Sequence, residues 1–206
     1  LNSNMLQMMY EKMKISNCDI VGCGYRLFND IGLSRDFGSD EKRYNMHSVE
    51  NKRRYIIEHG CKNSVCRHMY RKALLDDNNI FFPEGTYMED YYFHVLTMMH
   101  AQACYEMKDI LYLYRENSNG IMRTLNKEHL LDIVKVQNMT YAELARRGLN
   151  VGFEEELAVL YYVKAFVEPI SNMEKGKNGI EWDYEIVEEL KGNILDCFPN
   201  ILQNAY

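Results

Sequence analysis

The sequence predicts an α/β fold: a partial α/β unit followed by a helical C-terminal region. Three observations carry that prediction. A stretch with helical spacing of apolar residues runs directly into a strand-like run that ends at Phe28. A second helix-to-strand succession lies between residues 89 and 114. From Asn126 onward the pattern is helical alone. The chain has 206 residues, of which 47% are hydrophobic, so it is long enough to bury a core.

The elements follow in order. Met5, Met8, Met9 and Met13 predict a helix over 4–15, with Asn2, Ser3 or Asn4 as its cap. Ile20, Val21, Cys23, Tyr25 and Leu27 predict a strand within 17–28. Residues 29–46 are polar and contain glycine, so they read as a loop. A short helix is expected over 47–58, and another over 64–75 with Asn63 or Ser64 as cap. Ile80 to Phe82 form a short apolar element before Pro83, and 84–88 a loop. Residues 89–100 have helical periodicity, with Glu89 and Asp90 in the first turn, where acids suit the helix dipole. Two short strands, 103–107 and 110–114, precede a polar loop over 115–123. Helices are expected near 127–147, 153–172, 182–191 and 194–204, separated by Gly148 and by residues 174–179. The expected division is therefore residues 1–125 and 126–206.

Charge and composition exclude some functions. The 24 basic residues are outnumbered by 30 acidic ones, a net charge of −6, which disfavours a nucleic-acid binder. The best apolar run, Leu157 to Val163, stops at Lys164, far short of a membrane span. No leader pattern is visible from Leu1 onward. Six cysteines without a C-x-x-C pair read as reduced thiols, the pattern of a cytoplasmic protein.

Four groups of residues invite a chemical reading. Glu89 and Asp90 stand where a loop meets a helix, so one carboxylate can face a cleft and act as general base toward a hydroxyl. Acids that merely offset the helix dipole are the plainer reading on composition alone. His59, Cys61, Cys66 and His68 carry zinc-type ligands, but their spacing is not that of a familiar zinc site. Tyr112, Tyr114, Arg115, Ser118, Asn119 and Arg123 could grip a phosphate or form a solvated loop. Arg67, His68, Arg71 and Lys72, with Arg53 and Arg54 upstream, could serve a phosphate or simply form a solvated helix face. No G-x-G-x-x-G, P-loop, G-x-S-x-G or H-E-x-x-H motif occurs.

Three segments, in this order, resemble the second half of bacterial family 2 glycosyltransferases of the GT-A type. LQMMYEKMKISNCDIVGCGY, residues 6–25, is similar to the helix and strand that follow the family's Asp-x-Asp segment. MYRKALLDDNNIFFPEGTYMEDYYF, residues 69–93, is similar to its Lys-Leu-Tyr-Arg segment and its Phe-Pro-Glu-Gly and Glu-Asp motifs. LYLYRENSNGIMR, residues 111–123, is similar to its Tyr-x-Tyr-Arg segment. The likeness covers residues 5–125.

That resemblance implies inverting sugar transfer from a nucleoside-diphosphate sugar to a glycan or lipid-linked acceptor, in surface polysaccharide synthesis. Asp90 would be the catalytic base, with Glu89 positioning acceptor or base. Arg115, Ser118 and Arg123 would lie near the donor diphosphate, and Tyr87 and Tyr91 would stack on sugar rings. His68 stands where the family often has Lys. A divalent cation, Mn or Mg, would serve the parent enzyme. Its Asp-x-Asp ligands are not in this chain, and Asp19 and Asp30 do not replace them. The chain is accordingly expected to be a portion of a longer enzyme, with little transferase activity alone. The expected location is cytoplasmic, with the C-terminal helices available for contact at the inner membrane face or for a homodimer. The rival reading is a non-catalytic glycan- or protein-binding module derived from such an enzyme.

Overall fold

The computed structural model describes all residues except 30, 31, 33, 39, 63, 118–125, 178, 179 and 204–206, together with the side chains of 127, 128 and 202. The chain divides into two compact units that interleave along the sequence. One comprises Leu1–Tyr55, Ser64–Phe81 and Thr97–Gly120. The other comprises Ile56–Asn63, Phe82–Leu96 and Ile121–Tyr206. This differs from the expected division at residue 125. The Glu89–Asp90 segment groups with the C-terminal helices rather than with the sheet.

The first unit is α/β. Helix α1 (Met5–Ser16) ends at Asn17, whose left-handed backbone (φ 49°) an asparagine tolerates well. Strand β1 (Ile20–Phe28) follows and is central. Strand β5 (Ala103–Arg115) runs parallel to it. β2 (Ser34–Phe37) and β4 (His68–Tyr70) are antiparallel to β1, and β3 (Lys42–Asn45) is antiparallel to β5. Met5, Met9 and Met13 of α1 pack on Val21, Cys23, Met107 and Leu111. A fully buried methionine such as Met9 contributes on the order of 2 kcal/mol.

Three expectations are corrected here. Residues 29–46 hold two short strands rather than a loop alone. Both are polar, so they lack the apolar alternation that announces a strand, and side-chain pairs secure β2. Arg26 holds Asp36 at 2.6 Å, and Tyr25 stacks on Phe37 with centroids 4.8 Å apart. The two strands expected over 103–114 are one strand with a bulge. β5 advances from Glu106 to Ile110 while β1 advances only from Gly22 to Gly24, so the polar Lys108–Asp109 pair marks extra residues and not a turn. The helix expected over 64–75 is instead a 3₁₀ turn (Val65–Arg67), β4 and a short helix α3 (Lys72–Asp77). Pairing of His68, Met69 and Tyr70 with Gly22, Val21 and Ile20 outweighs the local helical pattern.

Helix α2 (Val49–His59) and helix α4 (Glu89–His100) contribute residues to both units. The second unit is otherwise helical: α5 (Lys127–Arg146), α6 (Glu154–Tyr162), α7 (Glu168–Glu174) and α8 (Tyr184–Cys197). Asn126 caps α5 by accepting from the His129 N–H at 3.0 Å, and His129 Nδ1 accepts in return from the Asn126 N–H at 3.1 Å. A single π turn, Val163–Val167, joins α6 to α7. Pro169 stands two residues beyond that turn; its nitrogen has no proton to give and its ring crowds the turn before it, a known cause of such irregularities. One helix, α8, replaces the two expected over 182–204. Gly192 does not break it, and it ends at Phe198–Pro199. The core of this unit joins Leu130, Tyr161, Ala165, Leu190, Ile194 and Phe198.

Candidate functional site

The helical unit carries the expected carboxylate pair. Phe82 stacks on Phe93 with centroids 4.1 Å apart, which fixes the start of the loop. Gly85 takes φ +67°, and Thr86 Oγ1 donates to the Pro83 carbonyl at 3.5 Å. Met88, immediately before α4, also has positive φ (+66°), a conformation that costs a residue with a Cβ roughly 1 kcal/mol or more. Its carbonyl accepts from the Tyr91 N–H at 3.0 Å and closes the first turn. Glu89 is exposed there and Asp90 half-buried.

The tyrosines flanking the pair divide. Tyr87 packs against the helical core with its ring 4.4 Å from that of His129. Tyr91 is 4% exposed and hydrogen-bonds with Gln137, and burial pushes its phenol far above the ordinary tyrosine range. It therefore has no open ring face for a sugar, which corrects the stacking role expected of it. Tyr92, one residue on, is half-buried.

Beside Met88 lies a cleft of about 350 Å³. Met88, Ile133 and Val167 supply apolar lining; Glu168, Ser171, Asn172, Lys175 and Lys177 supply polar lining. Glu168 accepts from Lys164 Nζ at 2.7 Å, and Lys164 is itself only 6% exposed. The sequence marks this region as helical without pointing to a cleft. Its one signal was Lys164 interrupting an apolar run, with Glu168 four residues later.

Of the remaining expected residues, Arg115 and His68 belong to the sheet unit. Arg115 is exposed at the end of β5, where the Glu116 N–H continues the pairing by donating to the Phe28 carbonyl at 2.8 Å. Ser118, Asn119 and Arg123 lie outside the described residues. His68 is not at a surface. Its side chain is 1% exposed, with Nδ1 3.1 Å from the Ser64 carbonyl and Nε2 3.6 Å from Glu106. Burial, reinforced by Arg67, holds its imidazole below the ordinary histidine range although Glu106 pulls the other way. It therefore presents no face to a substrate, which corrects the binding role expected of it.

Two arginines of the basic cluster are likewise bonded within the sheet unit, while Arg53, Arg54 and Lys72 are exposed. Arg67 Nη1 donates to Glu106 at 3.1 Å and to the Cys23 carbonyl at 2.9 Å. Arg71 Nε donates to Asp19 at 3.1 Å, and the other Asp19 oxygen accepts from the Gln102 N–H at 2.8 Å. Gly22 is required beside this group, because a Cβ there would stand 2.6 Å from a Glu106 oxygen. Among the described residues no three His, Cys, Asp or Glu side chains are grouped as metal ligands. No described helix is long and apolar enough to cross a membrane.

No family model matches the chain. The chain is similar to a glycosyltransferase in sequence: it is 25% identical over 165 residues to the uncharacterized glycosyltransferase EpsJ of Bacillus subtilis (strain 168). That likeness covers 73% of this chain and 47% of EpsJ, so the chain spans about half the length of the curated relative. Among solved structures, S. aureus TarS 1–349 in complex with UDP-GlcNAc gives a TM-score of 0.48 at 13% identity, covering 98% of this chain and 63% of that one. A second structure of TarS 1–349 gives 0.43 at 15% identity, covering 98% and 62%. Both scores are too low for either structure to bear on function.

Proposed function

We propose that this chain forms the acceptor side of an inverting, family 2 glycosyltransferase of the GT-A type. The donor is a nucleoside-diphosphate sugar and the acceptor a glycan or lipid-linked hydroxyl, as in surface polysaccharide synthesis. The observation that carries the reading is the position of Asp90. It is half-buried in the first turn of α4, behind a loop held by the Phe82–Phe93 stack and the strained Met88, and a polar cleft adjoins that loop. The sequence likeness to EpsJ supports it.

In this reading Asp90 takes the proton from the acceptor hydroxyl as its oxygen forms a bond to the anomeric carbon. The bond from that carbon to the diphosphate breaks, and the electron pair leaves with the nucleoside diphosphate. Glu89, exposed beside it, orients the acceptor, and Tyr87 borders the loop. Arg115 belongs to the donor end. A divalent cation, Mn or Mg, supplies Lewis-acid assistance to the leaving diphosphate in such enzymes. Among the described residues no three His, Cys, Asp or Glu side chains are grouped to hold one. The setting is the cytoplasm, at the inner membrane face where lipid-linked acceptors sit.

The test is Asp90→Asn in the full-length gene product, following UDP release from UDP-sugars with membrane extract as acceptor. Turnover should fall by about 10²–10⁴-fold with UDP affinity retained. Near-normal turnover would remove Asp90 from the role of base.

A further inference from the structure

We propose that the cleft beside Met88 is an acceptor subsite for a negatively charged group, a phosphate or a sugar carboxylate, held by Lys175 and Lys177. The inference rests on the reading of Asp90 as the acceptor-side base only for calling the ligand an acceptor. The charge of the cleft is argued independently.

The chain as a whole is acidic, with a net charge of −6. The cleft is not. Its one carboxylate, Glu168, is neutralised by the buried Lys164 at 2.7 Å. Lys175 and Lys177 line the same space, and among the described residues neither is in an ion pair. Glu174, next to Lys175, is not part of the lining. The sum is about two uncompensated positive charges in a cleft of about 350 Å³, room for a monosaccharide bearing one anionic group.

Lys175 alone has another explanation, since it caps α7 and a cation there offsets the helix dipole. Lys177 lies beyond the helix end and that account does not reach it. Ser171 and Asn172 add neutral hydrogen-bonding groups, and Met88 and Val167 add an apolar wall. Charged, neutral and apolar groups together in one cleft are the lining a charged sugar needs. Two backbone irregularities of this unit, the positive φ of Met88 and the π turn that carries Val167, border it. Irregularities of both kinds concentrate at functional sites.

The test uses this 206-residue chain and three probes at low ionic strength: glucose, glucose 6-phosphate and glucuronate. Binding is followed by amide chemical shifts of residues 171–177. The anionic probes should bind about tenfold or more tightly than glucose and lose that advantage at high salt. Lys175→Ala/Lys177→Ala should bring them down to the glucose level, while Lys175→Arg/Lys177→Arg should keep the preference. A preference for the phosphate alone identifies a phosphorylated acceptor, and equal binding of glucuronate an acidic glycan. Equal affinity for all three probes, or a preference that survives the double alanine change, overturns the subsite. Turnover of Asp90→Asn is a separate readout, so the base and the subsite can fail independently.

Discussion

Each unit pairs a buried cation with a carboxylate, and the two pairs are built differently. In the sheet unit Arg67 and Glu106 are closed on every side, with side chains 5% and 1% exposed, and Tyr55 and His68 complete the enclosure. In the helical unit Lys164 is 8% exposed at its side chain but Glu168 is 40% exposed and borders a cleft. The closed pair has no ligand to meet, so its work is to hold β1, β5 and the turn before β4 in register. The half-open pair hides one charge and presents the other, which leaves the charge of the cleft to be set by its neighbours.

The largest expected effect tests the closed pair. Arg67→Met strands a buried carboxylate and should cost about 3–5 kcal/mol in urea unfolding. Arg67→Met combined with Glu106→Leu should recover most of that loss, because neither charge then remains buried. The same truncation at the open pair, Lys164→Met, should cost only about 1 kcal/mol, since Glu168 can turn to water. Equal losses at the two sites would erase the contrast.

The pH dependence sharpens it. His68 has a folded-state pKa below its unfolded one, so the unfolded chain takes up the proton first. Stability contributed by neutral His68 is therefore complete above about pH 6.5 and falls as the pH drops from there. His68→Gln should flatten the change in unfolding midpoint between about pH 7.5 and 5. The smallest effect belongs to an open surface cluster. Arg146, with Arg147, holds the Glu143 carboxyl at about 2. Its contribution is present above about pH 4.5 and is lost toward pH 2. Glu143→Gln should cost about 1 kcal/mol at neutral pH, a difference that closes over that acid range.

What the sequence disclosed follows from the range of each force. The methionine spacing of α1, the apolar run of β1 and the acidic start of α4 are local patterns, and each element stands where its pattern lies. The polar strands β2 and β3 lack a local apolar alternation: β2 folds back on the neighbouring β1 through side-chain pairs, and β3 pairs with β5 far along the chain. Arg67 and His68 read as a surface cluster because nothing nearby announces Glu106, almost forty residues on. Glu89 and Asp90 stand out in the sequence because a loop-to-helix junction is written in consecutive residues. The cleft was missed because Met88, Ile133 and Lys175 come together only through packing of separate helices.

The π turn between α6 and α7 has a consequence for what can be inherited at this position. Such a turn is a helix that has taken in one residue more than its pitch requires. Removing one residue from Val163–Val167 would restore an unbroken α-helix and rotate everything after it by about 100°. Ser171, Asn172 and Lys175 would then swing off the cleft together, although none of them had been altered. Length, more than the identity of any one side chain, is what this stretch of the chain must conserve.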